Sequence, residues 1–338
     1  MLKQIKEKEM KKLQRILCVM LSILLLTGVT FSVSAVEKMT GKENATAYQT
    51  MGEIEEEVIG YLKEYHPEIT FGTEEYASFL TELLMQGKEK DLEKRADYKN
   101  IEIYASEYLA EAQEVCVGDK LVLTLSKEQK KYTVFDVKKQ AQEEEKRDKD
   151  EEAGNSTKTT RAASNYSPQK AADYGIKWGK SRNTNYASHM KDCTNFVSQC
   201  LVAGGLKMKK PKSINEGITK TTNYWYSIRY KEWHTNTYCY QWNESSSFIN
   251  VNDLYDYAVT KGNTVTKIFC NTKNDLQSKA KIGDIVQLKN KDGRWYHSII
   301  ITAGKKGNYS YAGHTNDNSK TPIKDINNKV VKWRIIRF

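Results

Sequence analysis

A run of charge divides this chain and limits how it can fold. Residues 139–164 include the string EEEKRDKDEEAGNSTKTTRAAS, in which charged residues give way to Gly, Ser and Thr and no apolar periodicity survives. A segment like this reads as a linker, or as the frayed end of a helix, and marks the best domain boundary in the sequence. The charge balance changes sign across it: residues 36–164 hold 19 Lys+Arg and 29 Asp+Glu, whereas residues 165–338 hold 28 and 12. Halves of opposite sign imply two domains, and 338 residues leave room for both. They also suggest that an acidic first module docks electrostatically on a basic second one.

The single long apolar run lies at the N-terminus. A basic stretch (Lys3, Lys6, Lys8, Lys11, Lys12, Arg15) precedes apolar residues 16–31, and Val33-Ser34-Ala35 closes the run. This is the layout of a secretory signal peptide over residues 1–35, with cleavage expected after Ala35; an uncleaved anchor is the alternative. The expected product is secreted, extracellular or cell-wall associated, with no stable membrane span. An exported basic domain points to an anionic wall polymer as partner and away from nucleic acid. Export also permits disulfides. Five cysteines follow residue 35 (Cys116, Cys193, Cys200, Cys239, Cys270), so one thiol stays unpaired in a monomer. Cys193 and Cys200 would stand about 10 Å apart on one helix, beyond disulfide reach.

Residues 36–138 read as a small α+β module. Ile54, Val58, Tyr61, Leu62 and Tyr65 have helical spacing, and Phe79, Leu80, Leu83 and Leu84 suggest a second helix. Ile101, Ile103, Tyr104 and Leu109 form a third element, helix or strand. Leu121, Leu123, Leu125 and then Tyr132, Val134, Phe135, Val137 alternate like two strands of a hairpin. Residues 165–338 open with Ser167-Pro168, a helix start. A polar loop follows, then a short amphipathic helix from Cys193 that ends at Gly204-Gly205. Strands are expected around Ile268, 285–288, 297–301, 309–311 and 330–336. Helices followed by a meandering sheet make this an α+β domain. An aromatic stretch between them (Tyr224, Trp225, Tyr226, Tyr230, Trp233, Tyr238, Tyr240, Trp242) fills core or lines a groove for sugar rings.

Cys193 stands where a nucleophilic thiol is activated. Free N–H groups and partial positive charge at a helix start favour the thiolate, and the same groups receive an oxyanion in acyl transfer. His297 opens an apolar strand after a turn at Asp292-Gly293 and can supply the base. The next strand ends in His314-Thr315-Asn316-Asp317, polar groups able to orient an imidazole. His189 and Cys193 lie four apart, but no second pair of ligands stands at a zinc spacing, so no metal is expected. His189 is also the weaker choice of base, because it sits on the loop entering the helix.

Three blocks carry a resemblance. Asp192-Cys193-Thr194-Asn195-Phe196-Val197-Ser198-Gln199, followed by Ala203-Gly204-Gly205, resembles the nucleophile motif of the bacterial putative amidase domain. That family is grouped with the papain-like NlpC and CHAP cell-wall hydrolases. Gly283-Asp284-Ile285-Val286-Gln287-Leu288 with Trp295-Tyr296-His297-Ser298-Ile299 is similar to its second block, and Tyr309-Ser310-Tyr311-Ala312-Gly313-His314-Thr315-Asn316 to its third. The likeness covers residues 165–338. It departs at Ala312-Gly313, where a bulkier pair is more usual, and at Tyr296, where an acidic residue often stands. The resemblance implies a papain-like cysteine hydrolase core, N-terminal helices packed on an antiparallel sheet, with no cofactor. It implies that Cys193 attacks an amide carbonyl, that His297 relays the proton, and that His314, or failing it Asn316, orients His297. Asp192 would stabilise the helix start, and the Cys193 N–H would serve the oxyanion. The implied substrate is an amide of peptidoglycan or of its stem peptides, through amidase or endopeptidase action. The reading from another class is a catalytically silent cell-wall binding module on the same fold.

Overall fold

Thr50 starts the first helix with a capping box: its hydroxyl accepts the Glu53 amide while the Glu53 carboxylate takes the Thr50 amide at 2.8 Å. The computed structural model describes residues 47–153, 166–234, 237–260 and 265–338. The segment read as a signal peptide lies outside them. From α1 (Met51–Tyr65) the chain runs through α2 (Glu74–Gln86) and α3 (Tyr98–Glu111) to a hairpin of β1 (Gln113–Val117) and β2 (Lys120–Thr124). The expected pairing of 121–125 with 132–137 does not form. β2 pairs with β1 instead. Val134 opens a helix because Thr133 and Asp136 cap one another as Thr50 and Glu53 do.

That helix, α4 (Val134–Ala153), takes up the first part of the stretch read as a linker or as the frayed end of a helix. Residues 139–153 are helical, and 154–165 lie outside the described residues. Glu144, Asp148 and Glu151 recur at helical spacing and meet groups from the second half of the chain. Glu144 bonds Lys289 and Arg294, Asp148 the Trp295 indole, and Glu151 Lys267. The periodicity is one of charge, which a search for apolar periodicity passes over.

Ser167 caps α5 (Pro168–Trp178), and α6 (Cys193–Ala203) follows. A three-stranded sheet holds β3 (Ile218–Thr219), β4 (Ser227–His234) and β5 (Thr237–Ser245) in the order β3-β5-β4. After α7 (Val251–Thr260) come β6 (Thr266–Cys270), α8 (Lys273–Lys279), β7 (Ile285–Asn290), β8 (Trp295–Lys305), β9 (Asn308–Gly313), β10 (Asn318–Pro322) and β11 (Val330–Arg337). Six of these strands form one antiparallel sheet in the order β10-β9-β8-β7-β11-β6. The architecture is mixed α+β.

The six-stranded sheet is buried on both faces. Ile285, Ile300, Ala312 and Ile336 pack with Phe196, Val197 and Leu201 of α6 and Ala171 of α5. Val286, Leu288, Ile299, Ile301, Trp333 and Ile335 point the other way, into one core with Ile54, Val58, Leu80, Leu84, Tyr104 and Tyr108. The N-terminal helices therefore cover the second face of the sheet, and Tyr48–Phe338 forms one compact unit. Trp225 and Tyr226 are buried whereas Trp233 and Tyr240 are exposed, so the aromatic stretch divides between core and surface. Among the described residues no helix is long and apolar enough to cross a membrane.

Candidate active site

Cys193 is the first residue of α6, and its thiol is 1% exposed. Its sulfur lies 3.7 Å from the Thr194 hydroxyl. Thr194 in turn bonds the Ser298 hydroxyl at 3.0 Å, and Gln287 donates to that hydroxyl at 3.2 Å. The head of α6 is thus pinned to β8 beside His297. The expectation of a lowered thiol pKa is not met: burial pushes Cys193 up, by more than the Ser298 amide, Thr194 and the Lys191 charge pull it down. Asp192 supplies no side-chain cap to the helix. Its carboxylate is spent elsewhere, accepting from Asn195 at 2.7 Å and the His189 amide at 3.2 Å, and pairing with His314.

His297 pairs with Leu288 across the sheet, just past a break in register at Trp295 and Lys289. By strand alternation its ring leaves the sheet on the face of Ile299, opposite the Ser298 side chain. It is fully buried with no acidic partner among the described residues, and burial pushes its pKa down to about 3, leaving the imidazole neutral. Its Nε2 has no hydrogen-bond partner among the described residues. Gly313 makes space for the ring: a Cβ there would lie 3.6 Å from His297 Nε2 and 3.8 Å from Asn318 Nδ2. Asn318 pairs with Gly313 in the sheet, and its buried Oδ1 is likewise unpartnered. The imidazole nitrogen and the Asn318 carboxamide nitrogen therefore both lie near Gly313.

The other predicted residues fall differently. His314 is held with Asp192 at 2.5 Å through Nδ1 and with the Trp178 carbonyl at 2.9 Å through Nε2. Its ring stacks on Phe196 at 3.9 Å. Both nitrogens are engaged, so the expected orienting bond to His297 has no donor or acceptor left on His314. Burial alone would raise the Asp192 carboxyl, but the His314 and Asn195 contacts outweigh it and hold it below the usual range. Asn316 offers its carbonyl to the Asn318 amide at 2.7 Å. His189 bonds Glu244 at 2.8 Å and faces Glu114 at 3.5 Å. Those carboxylates overcome burial and raise it well above its ordinary value, which makes it a cation rather than a base. Asn318 was passed over in the sequence because it sits inside a polar string, Thr315-Asn316-Asp317-Asn318, where no spacing singles it out. Cys116, Cys193, Cys200, Cys239 and Cys270 are all free thiols.

The thiol at the helix head thus meets the Ser298 side of β8, while the imidazole leaves the strand on the other face. The putative amidase domain family matches residues 165–336, and the chain belongs to that family. Two proteins of Bacillus subtilis (strain 168) are similar to it. The uncharacterized protein YhbB is 27% identical over 146 residues, 41% of this chain and 37% of that protein. The uncharacterized protein YjcM is 25% identical over 182 residues, 51% of this chain and 36% of that protein. The chain thus spans little more than a third of the length of these curated relatives. No solved structure matches it.

Proposed function

We propose that this protein is an exported cysteine hydrolase that cleaves amide bonds of peptidoglycan or its stem peptides, with Cys193 as nucleophile and His297 as base. The reading rests on one observation: Thr194, next to Cys193 at the head of α6, bonds at 3.0 Å to the hydroxyl of Ser298, the residue that follows His297. Family membership supports amide hydrolysis. In the reaction the Cys193 sulfur bonds to the amide carbonyl carbon and its proton passes to His297, whose ring must first turn to the Cys193 side from the opposite face of β8. The carbonyl oxygen, now anionic, is received by the Cys193 N–H. Collapse breaks the C–N bond, and the leaving amine takes the proton back from His297. Water then hydrolyses the thioester. A neutral imidazole suits the accepting role. Secretion and contact with an anionic wall polymer belong to the same proposal.

The test is turbidity loss of purified cell walls. Wild-type protein should clear them, and Cys193→Ala should clear them at least a thousandfold more slowly, since loss of a nucleophile leaves only binding and oxyanion contributions. Equal clearance by both would remove Cys193 from the mechanism. A second reading, the silent wall-binding module, draws on the buried, protonated thiol. It requires wall binding without any cleavage product by mass analysis.

A further inference from the structure

A chain of buried hydrogen bonds runs from a cation to the Cys193 sulfur. Arg334, Gln287 and Ser298 are register partners across β11, β7 and β8. Arg334 is 0% exposed, its guanidinium clamped between the Tyr255 and Trp295 rings at 3.7 and 4.4 Å from their centres. Its Nε donates to Gln287 Oε1 at 2.6 Å. Gln287 Nε2 donates to the Val251 carbonyl at 2.8 Å and to the Ser298 hydroxyl at 3.2 Å. Ser298 meets the Thr194 hydroxyl at 3.0 Å, and Thr194 meets the sulfur at 3.7 Å.

The direction of each bond follows from the chemistry of its neighbours. A guanidinium only donates, and a peptide carbonyl only accepts. Arg334 and Val251 therefore agree on which end of the Gln287 amide is oxygen. Both hydrogens of Gln287 Nε2 are then spent, one of them on Ser298. Among the described residues the Ser298 hydroxyl has one other side-chain partner, so its own hydrogen goes to Thr194. Turning that bond round would leave the Ser298 hydrogen with no acceptor. Thr194 also has one side-chain partner left, and its hydrogen is aimed at the sulfur. An O–H aimed at sulfur favours the thiolate over the thiol, and a chain that starts at a cation polarises each bond in the same sense. The charges that act on the sulfur directly are Lys191 and Asp192, of opposite sign, while Val251 of α7, Trp295 of β8 and Phe269 of β6 pack around it uncharged.

We propose that the Thr194 hydroxyl is the donor that stabilises the Cys193 thiolate, and that Gln287 and Ser298 are positioning residues that carry the polarity of buried Arg334 to it. No proton travels along the chain; it holds one orientation. Use of the thiolate as a nucleophile rests on the cysteine-hydrolase reading, and the bond itself does not.

The protein, labelled with carbon-13 at its cysteine Cβ atoms and kept reduced, is titrated with base by NMR, because that chemical shift reports loss of the thiol proton. Cys193→Ala assigns the Cys193 signal. Thr194→Val removes the hydroxyl at nearly constant volume, and Cys193 should then hold its proton about tenfold more tightly. Thr194→Ser keeps the hydroxyl and should titrate like wild type. Ser298→Ala leaves Thr194 free to turn and should fall between the two. Circular dichroism checks that each variant is folded, and should Thr194→Val fail to fold, Ser298→Ala against Thr194→Ser carries the test. A Thr194→Val titration at the wild-type position overturns the proposal, as does a wild-type thiol that keeps its proton until base unfolds the chain. A looser proton in Thr194→Val would mean that the thiol donates to Thr194, the opposite direction. Ser298→Ala titrating like wild type would remove the chain behind Thr194. Clearance of cell walls is followed on the same variants. A shifted titration with no cleavage by any form would sink the hydrolase reading and leave the hydrogen-bond chain standing. Cleavage that needs Cys193, with the Thr194→Val titration unshifted, would do the reverse.

Discussion

At the scale of residues, His297 tests the site without an assay of activity. A histidine with an ordinary pKa near 6.5 unfolded and about 3 folded takes up its proton in the unfolded chain first. Its contribution to stability is complete above pH 6.5 and is lost as pH falls toward 3. Between pH 7 and pH 5 the loss from this one group comes to about 2 kcal/mol. Other groups titrate in the window, among them Glu107, which burial raises to about 7 and which acts with the opposite sign. The measurement is therefore a difference: urea unfolding of wild type and of His297→Gln at both pH values. Wild type should lose about 2 kcal/mol more than the variant over the interval. Parallel losses would mean that the ring is not a buried neutral base. Cys193 could be picked out beforehand because a helix head and a family motif coincide on it. The partner of His314 could not, because Asp192 lies 122 residues away and only the folded chain brings the two to 2.5 Å.

At the scale of elements, α4 shows why a charge run misleads. Its acidic face is solvated in the isolated sequence and paired in the fold. Arg294 gathers that pairing, bonding Glu144 at 2.7 Å, Glu107 at 2.8 Å and Glu111 at 3.2 Å. Arg294→Ala would leave these carboxylates facing one another without a cation, a change that costs about 3–5 kcal/mol at a buried pair. Glu107, raised to about 7, is only about half ionised at pH 7 even beside Arg294, so without the cation it would protonate and bring the cost to the lower end of that range. Arg294→Lys should recover little, since an ammonium cannot reproduce a fork that reaches three carboxylates. Chemical denaturation checks both, and a Lys variant as stable as wild type would show that charge alone suffices. In the second half α5, α6 and β6, β7, β8, β9 and β11 were legible from apolar spacing and helix signals, whereas the three-stranded sheet, α7, α8 and β10 were not. One clue in the strands was there to use: Ile299-Ile300-Ile301 is a continuous apolar run, and an antiparallel strand with one wet face should alternate. The run says that something covers both faces of the sheet, but periodicity cannot say what.

At the scale of the molecule, the cover is the N-terminal half, and this sets the terms on which the two halves can be separated. Opposite charge does join them, through Arg294, Lys289, Lys332 and Lys267 on one side and α3 and α4 on the other. Charge is not the whole interface, however. Val286, Leu288, Ile299, Ile301, Trp333 and Ile335 share a core with α1, α2 and α3. Exposing six such side chains at about 1.5–3 kcal/mol each removes on the order of 10 kcal/mol, comparable with the whole stability of an ordinary domain. Residues 166–338 produced alone should therefore show no cooperative melt and should bind a hydrophobic dye. Residues 48–153 co-expressed with 166–338 should restore the transition, because the core needs both surfaces and not the peptide bonds between them. A cooperative melt for 166–338 by itself would mean that the sheet tolerates a bare second face and that the N-terminal half is a separable attachment. In that case high salt alone should release it, since screened surface charge would then be all that holds the pair.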